Sequence, residues 1–131
     1  MTASDLLAMG ESKFVSLTTF RKTAVPVSTA VWIARDGDEL VVTTPGGSGK
    51  VKRLRHTSRI ELRPCSRMGK VEPDAPVAVG SARLEDTDAA RERANEVLGA
   101  KYGLEFKAIL GVERIASRGE ARVIVRIGDA A

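Results

Sequence analysis

The sequence is poor in the side chains that most often do chemistry. Among its 131 residues it has one cysteine, Cys65, and one histidine, His56. A lone cysteine cannot form an internal disulfide, which is typical of a reducing compartment, so we expect a cytoplasmic protein. Neither residue has a partner at the spacing of a nucleophile–base pair or a metal site. The sequence therefore identifies no catalytic residue and predicts no metal site.

Long apolar runs and aromatic residues are also scarce. No run approaches the about 20 apolar residues of a membrane span, and residues 1–10 are too short and too lightly charged for a secretory signal. The net charge is +4, but aromatic residues make up only 4% of the chain, which argues against stacking on several bases. We therefore expect no membrane partner and regard nucleic acid as a poor candidate, although one segment is strongly basic (Lys50, Lys52, Arg53, Arg55, Arg59, Arg63, Arg67 and Lys70, opposed only by Glu61).

The length predicts a single domain over residues 1–131, and the hydrophobic pattern predicts a mainly β, α+β fold. A long helix opens at Asp86-Thr87-Asp88 and stops near 99–103; shorter helical segments are predicted at Ser4–Met9, after Ser48 and at Leu104–Leu110. Gly80 in mid-strand suggests a bulge or a close backbone approach. The predicted strands are Phe14–Phe20, Val27–Ala34, Glu39–Thr44, Arg59–Cys65, Val77–Leu84 and Arg122–Ile127, with a loop at Ser66–Ala75.

The clearest local signal is a hairpin. Asp36-Gly37-Asp38 joins the strands Val27–Ala34 and Glu39–Thr44. The first arm is apolar on nearly every residue from Ala30 to Ala34, so we expect it to be covered on both faces. About six antiparallel strands with one long helix before the last strand predict a small barrel. Such a barrel has little interior space, so a ligand of cofactor size is expected outside it or between two copies.

The loop after the third predicted strand has the features of a phosphate site. Thr43-Thr44-Pro45-Gly46-Gly47-Ser48-Gly49 leads into a basic segment with helical character, where Lys50 and Arg53 would share one face and Ser48 could cap the helix. It is not a nucleotide-hydrolysing P-loop, because Val51 follows Lys50 where that motif requires serine or threonine. The alternative interpretation is a solvated basic turn.

Four motifs, in this order, resemble a known family. They are Leu17-Thr18-Thr19-Phe20-Arg21-Lys22, Ser28-Thr29-Ala30-Val31-Trp32, Gly49-Lys50-Val51-Lys52-Arg53-Leu54 and Lys101-Tyr102-Gly103. The sequence is similar, over roughly residues 13–127, to the split β-barrel proteins related to pyridoxamine 5′-phosphate oxidase, in particular their branch that uses the deazaflavin coenzyme F420. The resemblance implies a homodimer of split barrels with a flavin-like cofactor in a groove at the subunit interface.

The resemblance also implies roles for individual residues. Lys50 and Arg53 would hold the cofactor phosphate, with loop contacts from Ser48 and Gly49. The ring-facing strand would comprise Thr29, Ala30 and Val31, with Thr43 and Thr44 at the end of the paired strand within reach of the groove; Trp32 is a further candidate. Two departures are that this chain has Thr23-Ala24-Val25 where the family commonly has D-G-T, and Ala30 where it commonly has proline.

The implied activity is that of an oxidoreductase in which reduced F420 transfers a hydride to a small reducible substrate. Because the cofactor carries the hydride, the protein need only bind, orient and exclude water. FMN is the alternative cofactor, and the basic residues Lys52, Arg55 and Arg59 suit the longer anionic tail of F420 better. A non-catalytic carrier of the cofactor and a basic nucleic-acid-binding barrel remain as other classes. Trp32 could equally pack in the core, and Tyr102 more often closes a helix than donates a proton.

Overall fold

A computed structural model describes residues 3–105 and 121–129. The helices are α1 (Ala3–Ala8), α2 (Gly49–Leu54) and α3 (Asp88–Tyr102), with a short 3₁₀ turn at Met9–Glu11. The strands are β1 (Val15–Phe20), β2 (Pro26–Val31), β3 (Ala34–Asp36), β4 (Glu39–Pro45), β5 (Arg59–Pro64), β6 (Ala78–Glu85) and β7 (Arg122–Asp129). The predicted helical turn at Leu104–Leu110 lies largely outside the described residues.

The strands form one curled antiparallel sheet, a half-barrel, in the order β2-β1-β5-β6-β7-β4-β3. The long helix α3 precedes the last strand, as predicted. Its start is confirmed at Thr87, whose hydroxyl accepts a hydrogen bond from the Ala90 N–H at 3.1 Å. Gly103, in the left-handed region with φ 64°, follows its end.

The predicted hairpin is confirmed at β3 and β4, but the prediction of one continuous arm over Val27–Ala34 was wrong. The arm is two strands, β2 and β3, which lie at opposite edges of the sheet. The chain leaves the ladder at Ile33, whose N–H donates to the Tyr102 hydroxyl at 3.0 Å and whose carbonyl accepts from Lys101 Nζ at 2.6 Å. Two side chains of α3 thus satisfy the backbone that a continuous strand would have paired.

The expectation that this arm is covered on both faces was also wrong for β2. Its residues alternate between exposed and half-buried, and Ala30 is exposed. Only Ile33 and Ala34, beyond the break, are buried as predicted. The reason is position, because β2 is an edge strand and α3 covers the far side of the sheet instead.

The sheet is buried on two sides by different partners. The inner face, with α1 and α2, forms the larger core, which includes Leu17, Leu40 and Leu62. On the outer face, α3 packs Ala94 and Leu98 against Val41 and Ile124. These contacts explain why β4 is apolar at successive positions, since its alternating side chains enter both cores. No helix among residues 3–105 and 121–129 is long and apolar enough to cross a membrane.

An ion-pair network covers the outer face beside α3. Arg126 is 12% exposed and contacts Asp36 and Glu85, both at 2.8 Å, and Glu39 at 3.4 Å. Arg93 reaches Asp36 from α3 at 2.8 Å. The guanidinium of Arg93, followed by that of Arg126, lowers the pKa of Asp36 to about 2. The hairpin is therefore attached electrostatically to both β7 and α3.

Candidate functional site

Hydroxyl groups hold the loop between β4 and α2 in place. Thr44, which is buried, donates a hydrogen bond from Oγ1 to Ser48 Oγ at 3.1 Å. Ser48 is the N-cap of α2, and its Oγ accepts from the Val51 N–H at 3.4 Å. The predicted capping role of Ser48 is confirmed. The N–H of Gly46 donates to the Ala121 carbonyl at 3.1 Å, which also attaches the loop to the start of β7.

The guanidinium of Arg53 folds back over the start of its own helix. Its Nε donates to Thr19 Oγ1 at 2.6 Å, and Thr19 on β1 is fully buried. A Cβ at Gly49 would lie only 2.7 Å from Arg53 Nη1. Glycine at this position therefore makes room for the Arg53 side chain. The Arg53 side chain thus occupies part of the space beside Gly49, where contacts between the loop and a ligand were expected.

Arg53 lies in a positive environment. Burial lowers its pKa, and the nearby guanidinium of Arg21 lowers it further. Among the described residues no carboxylate forms an ion pair with Arg53, and its Nε donates to the neutral Thr19 hydroxyl. A cation that is neutralised by no neighbouring acid and fixed by a buried hydroxyl is suited to receive an anion.

The rest of α2 follows the predicted division of faces. Lys50 is half-buried, three residues before Arg53, whereas Lys52 is exposed. Val51 is fully buried, so it belongs to the core. The sequence pattern therefore separated the two candidate phosphate ligands from the solvent-facing lysine and the structural valine.

The ring-facing residues predicted on β2 divide between its two faces. Thr29 lies opposite Leu17 of β1, and Val31 lies opposite Val15, so both side chains are on the inner face. Ala30 is on the other face and exposed. The Thr29 hydroxyl is buried and has no hydrogen-bond partner within the described structure. A buried hydroxyl without a partner is costly, which makes this atom a candidate ligand contact.

Thr43 and Thr44, predicted together, point to opposite faces of β4. Thr44 binds Ser48 in the loop between β4 and α2. Thr43 faces the side of α3, where Arg122 binds its hydroxyl at 2.9 Å and its carbonyl at 2.9 Å. The structure therefore brings Thr44, Ser48, Gly49 and Arg53 together but places the Thr43 side chain elsewhere.

Trp32 lies at the crossing between β2 and β3. It stacks on Tyr102 with ring centroids 4.4 Å apart and an angle of 14°, and its other ring neighbour is Phe14, edge-on at 6.2 Å. The Tyr102 hydroxyl lies 2.7 Å from the Lys13 carbonyl and accepts from the Ile33 N–H. These contacts give Trp32 and Tyr102 packing roles; a role of Trp32 toward a ligand stays a prediction.

The sequence motifs contain three further side chains for which the sequence predicted no separate role, Thr19, Arg21 and Lys101. Thr19 and Arg21 lie beside Arg53, and Lys101 holds the break at Ile33. For Lys101 the sequence did offer a signal, namely its position one residue before the end of the long helix. For Thr19 there was none, because its partner Arg53 is 34 residues away in the sequence.

Comparison with known proteins identifies the fold. No protein-family model matches the chain, and no curated protein matches it significantly. Among solved structures, a Listeria innocua protein whose designation as a pyridoxamine 5′-phosphate oxidase is provisional is 18% identical, with 98% of this chain and 94% of that chain covered and a TM-score of 0.63.

Two further structures extend the comparison. An F420 reductase is 20% identical, with coverage of 95% and 92% and a TM-score of 0.60. The heme storage protein HutZ from Vibrio cholerae is 9% identical, with coverage of 98% and 89% and a TM-score of 0.69. At these identities the similarity concerns the fold alone. The chain has the fold of the split-barrel proteins related to pyridoxamine 5′-phosphate oxidase, on which both enzymes and a storage protein are built.

Proposed function

We propose that this protein is an oxidoreductase that binds coenzyme F420 and transfers a hydride from its reduced form to a small reducible substrate. The observation that carries the proposal is Arg53, a guanidinium fixed at 2.6 Å by the buried Thr19 hydroxyl and given no carboxylate partner by the described residues. Arginine binds phosphate strongly in such a setting because its planar donors form charge-assisted hydrogen bonds.

The residues of the site fit a phosphate-bearing flavin-type cofactor. Arg53 and Lys50 would hold the phosphate, beside the Ser48 hydroxyl and the backbone of Gly49. Thr29 supports a place for the ring, since its buried hydroxyl lacks a partner. β2 is also an edge strand of the described sheet, so part of its backbone is free to hydrogen-bond with the polar edge of a ring.

The cofactor and the protein side chains have different roles in the proposed reaction. When bound, the reduced cofactor supplies the hydride. The chain's own residues hold the phosphate through Lys50 and Arg53, orient the ring through Thr29 and the β2 backbone, and exclude water with the apolar side chain of Val31. No side chain of the described site is assigned as a proton donor.

The preference for F420 over FMN is supported by charge beyond the phosphate site. Lys52, Arg55 and Arg59 are exposed on and after α2, where they could meet additional negative charges. F420 has an anionic tail beyond its phosphate and FMN does not. An F420 reductase among the structures of the same fold is consistent with this choice. FMN is the alternative cofactor.

A homodimer forms part of the proposal. Its support is β2, an edge strand that exposes Ala30 within an apolar stretch. A second copy packed there would cover this strand and form the other wall of the cofactor groove. Analytical ultracentrifugation of the purified protein tests the assembly, and a monomer at micromolar concentration would contradict it.

Titration with both cofactors tests the binding claim. We expect F420 to bind more tightly than FMN, as measured by quenching of cofactor fluorescence. Arg53→Gln should weaken F420 binding, whereas Arg55→Gln, which changes an exposed arginine at the end of the same helix, should have a smaller effect. Tighter binding of FMN would overturn the choice of cofactor.

Turnover is a separate question. Oxidation of reduced F420 is followed by absorbance with a panel of electron acceptors. Binding without any turnover across the panel would show a carrier instead of an enzyme. This outcome is a real alternative because the heme storage protein HutZ has the same fold.

A further inference from the structure

The end of β1 places two side chains next to the phosphate site. Thr19 points inward and Arg21 follows it two residues later, just after the strand ends at Phe20. A tight turn fixes the Arg21 backbone, because its N–H donates to the Val25 carbonyl at 3.0 Å and its carbonyl accepts from the Ala24 N–H at 2.8 Å. The backbone of Arg21 is therefore held in a defined position at the end of β1.

The hydrogen bond from Arg53 to Thr19 holds the Arg53 guanidinium at the same end of β1. Arg53 Nε lies 2.6 Å from the hydroxyl oxygen of Thr19, and Arg21 follows Thr19 by two residues, so both arginines lie at the end of β1. Burial, followed by the charge of Arg21, lowers the pKa of Arg53. Arg91, by contrast, contacts two carboxylates, those of Asp86 and Asp88, both at 2.7 Å. Arg21 and Arg53 have no ion pair with a described carboxylate.

Two like charges held together without an acid raise the energy of the ligand-free site. An anion between them removes the repulsion and gains charge-assisted hydrogen bonds from both guanidiniums. Fixing Arg53 in advance also reduces the entropy lost when the anion binds.

We propose that Arg21 and Arg53 bind one phosphate group together, and that Thr19 is a positioning residue that holds Arg53 in place for it. The ligand class is a phosphate or phosphate ester. The inference concerns the same site as the proposed function and rests on it, but it adds Arg21 as a second arginine on the phosphate and gives Thr19 a positioning role that can be tested by itself.

The first test uses inorganic phosphate as the probe, measured by calorimetry on the full-length protein in a phosphate-free buffer. Arg21→Gln should weaken phosphate binding by about tenfold. The matched control is Lys22→Gln, which removes an equal charge from the neighbouring exposed position and should change the affinity by no more than about twofold. Both residues are exposed, so neither variant should lose the fold; circular dichroism verifies this.

The second test separates positioning from simple packing. Thr19→Val keeps the shape of the buried side chain but removes the acceptor, and we expect phosphate binding to fall by about three- to tenfold. Thr19→Ser keeps the hydroxyl and should restore most of the affinity. A role in packing alone predicts the reverse order, since serine leaves a cavity and valine does not.

The outcomes are distinguishable from those of the proposed function. Equal losses for Arg21→Gln and Lys22→Gln, or no saturable phosphate binding by the unaltered protein, would overturn the shared phosphate site. If F420 binds with unchanged affinity to Arg21→Gln, this inference fails and the proposed function stands. If Arg21→Gln selectively loses phosphate while neither F420 nor FMN binds the unaltered protein, the two-arginine site stands and the proposed function fails.

Discussion

Replacing Lys101 by methionine should destabilise the protein through the loss of one ammonium group. Lys101 Nζ donates to three backbone carbonyls, at 2.7 Å to Gly10, 2.6 Å to Ser12 and 2.6 Å to Ile33. These carbonyls belong to the 3₁₀ turn, the segment before β1 and the crossing between β2 and β3. One side chain at the end of α3 thus joins three separate parts of the chain.

The size of the effect follows from the number and setting of these bonds. A hydrogen bond to a charged group contributes about 1.5–3 kcal/mol. The three bonds share one ammonium, and water can replace part of them because Lys101 is partly exposed, so we expect a total of about 2 kcal/mol, not three times the single value. For a domain of this size that corresponds to a melting temperature lower by about 6–10 °C.

Urea unfolding followed by far-UV circular dichroism measures the free energy directly. Lys52→Met is the matched control, because Lys52 is an exposed lysine and its replacement should change the free energy of unfolding by less than about 0.5 kcal/mol. Equal effects of the two substitutions would refute the reasoning, since they would show that the three carbonyl contacts add nothing beyond the loss of a surface charge.

Four further predictions concern the site, the sheet and the outer face. Lys50→Ala should weaken F420 binding by about one to two powers of ten, measured by fluorescence titration, because a charge-assisted bond is lost; unchanged affinity would argue against the phosphate assignment. Ala24 has φ 68°, so Ala24→Gly should stabilise the fold by about 0.5 kcal/mol in urea unfolding, the strain relieved exceeding the entropy that glycine adds to the unfolded chain. Gly80→Ala should cost about 2 kcal/mol, because its Cβ would lie 2.8 Å from the Gly128 carbonyl oxygen; a stable variant would mean that the strands can separate there. The pKa of Asp36 is about 2 in the fold, below its ordinary value of 3.8. The Asp36 carboxylate therefore stabilises the fold by about 1–2 kcal/mol above pH about 4, after allowance for solvent screening, and this stabilisation is lost as the pH falls toward 2. Asp36→Asn should flatten that part of the curve of unfolding free energy against pH.

Local signals in the sequence predicted most of the secondary structure. The D-G turn at Gly37, the helix start at Asp86-Thr87-Asp88 and the helix stop near 99–103 are each signalled within a few residues, and the structure confirms all three. Gly80 was predicted to mark either a bulge or a close backbone approach, and the structure shows the close approach, against Gly128. These features succeed because the physical cause and its consequence lie in the same stretch of chain.

The break at Ile33 could not be predicted in this way. The stretch from Ala30 to Ala34 has the composition of a continuous buried strand, and nothing within it stops the ladder. The cause lies 68 and 69 residues further on, where Lys101 and Tyr102 take the backbone groups of Ile33. Tertiary contacts thus overrode a strong local preference for strand.

The candidate site likewise combines features that local sequence signals predicted with contacts that only the fold creates. The spacing of Lys50 and Arg53 and the cap at Ser48 were readable from one loop. The contact between Arg53 and Thr19 was not, since it depends on how α2 packs against β1. The fold brings β1 and β2 to the candidate site. Only in three dimensions does Arg53 lack a carboxylate partner, and the Thr29 hydroxyl a hydrogen-bond partner, within the part of the chain that the structure describes.

The break at Ile33 also links stability to the proposed site. If the chain continued in one strand from Val27 to Ala34, β2 and β3 could not occupy opposite edges of the sheet. β2 would then lose the free edge and the exposed Ala30 on which the proposed cofactor groove and second copy depend. Within residues 3–105 and 121–129, Lys101 and Tyr102 form no hydrogen bond or ion pair with Ser48, Gly49 or Arg53, yet by holding Ile33 out of the ladder they determine where β2, the proposed ring-facing strand, ends. The Lys101-Tyr102 pair therefore acts on the site through the topology of the sheet.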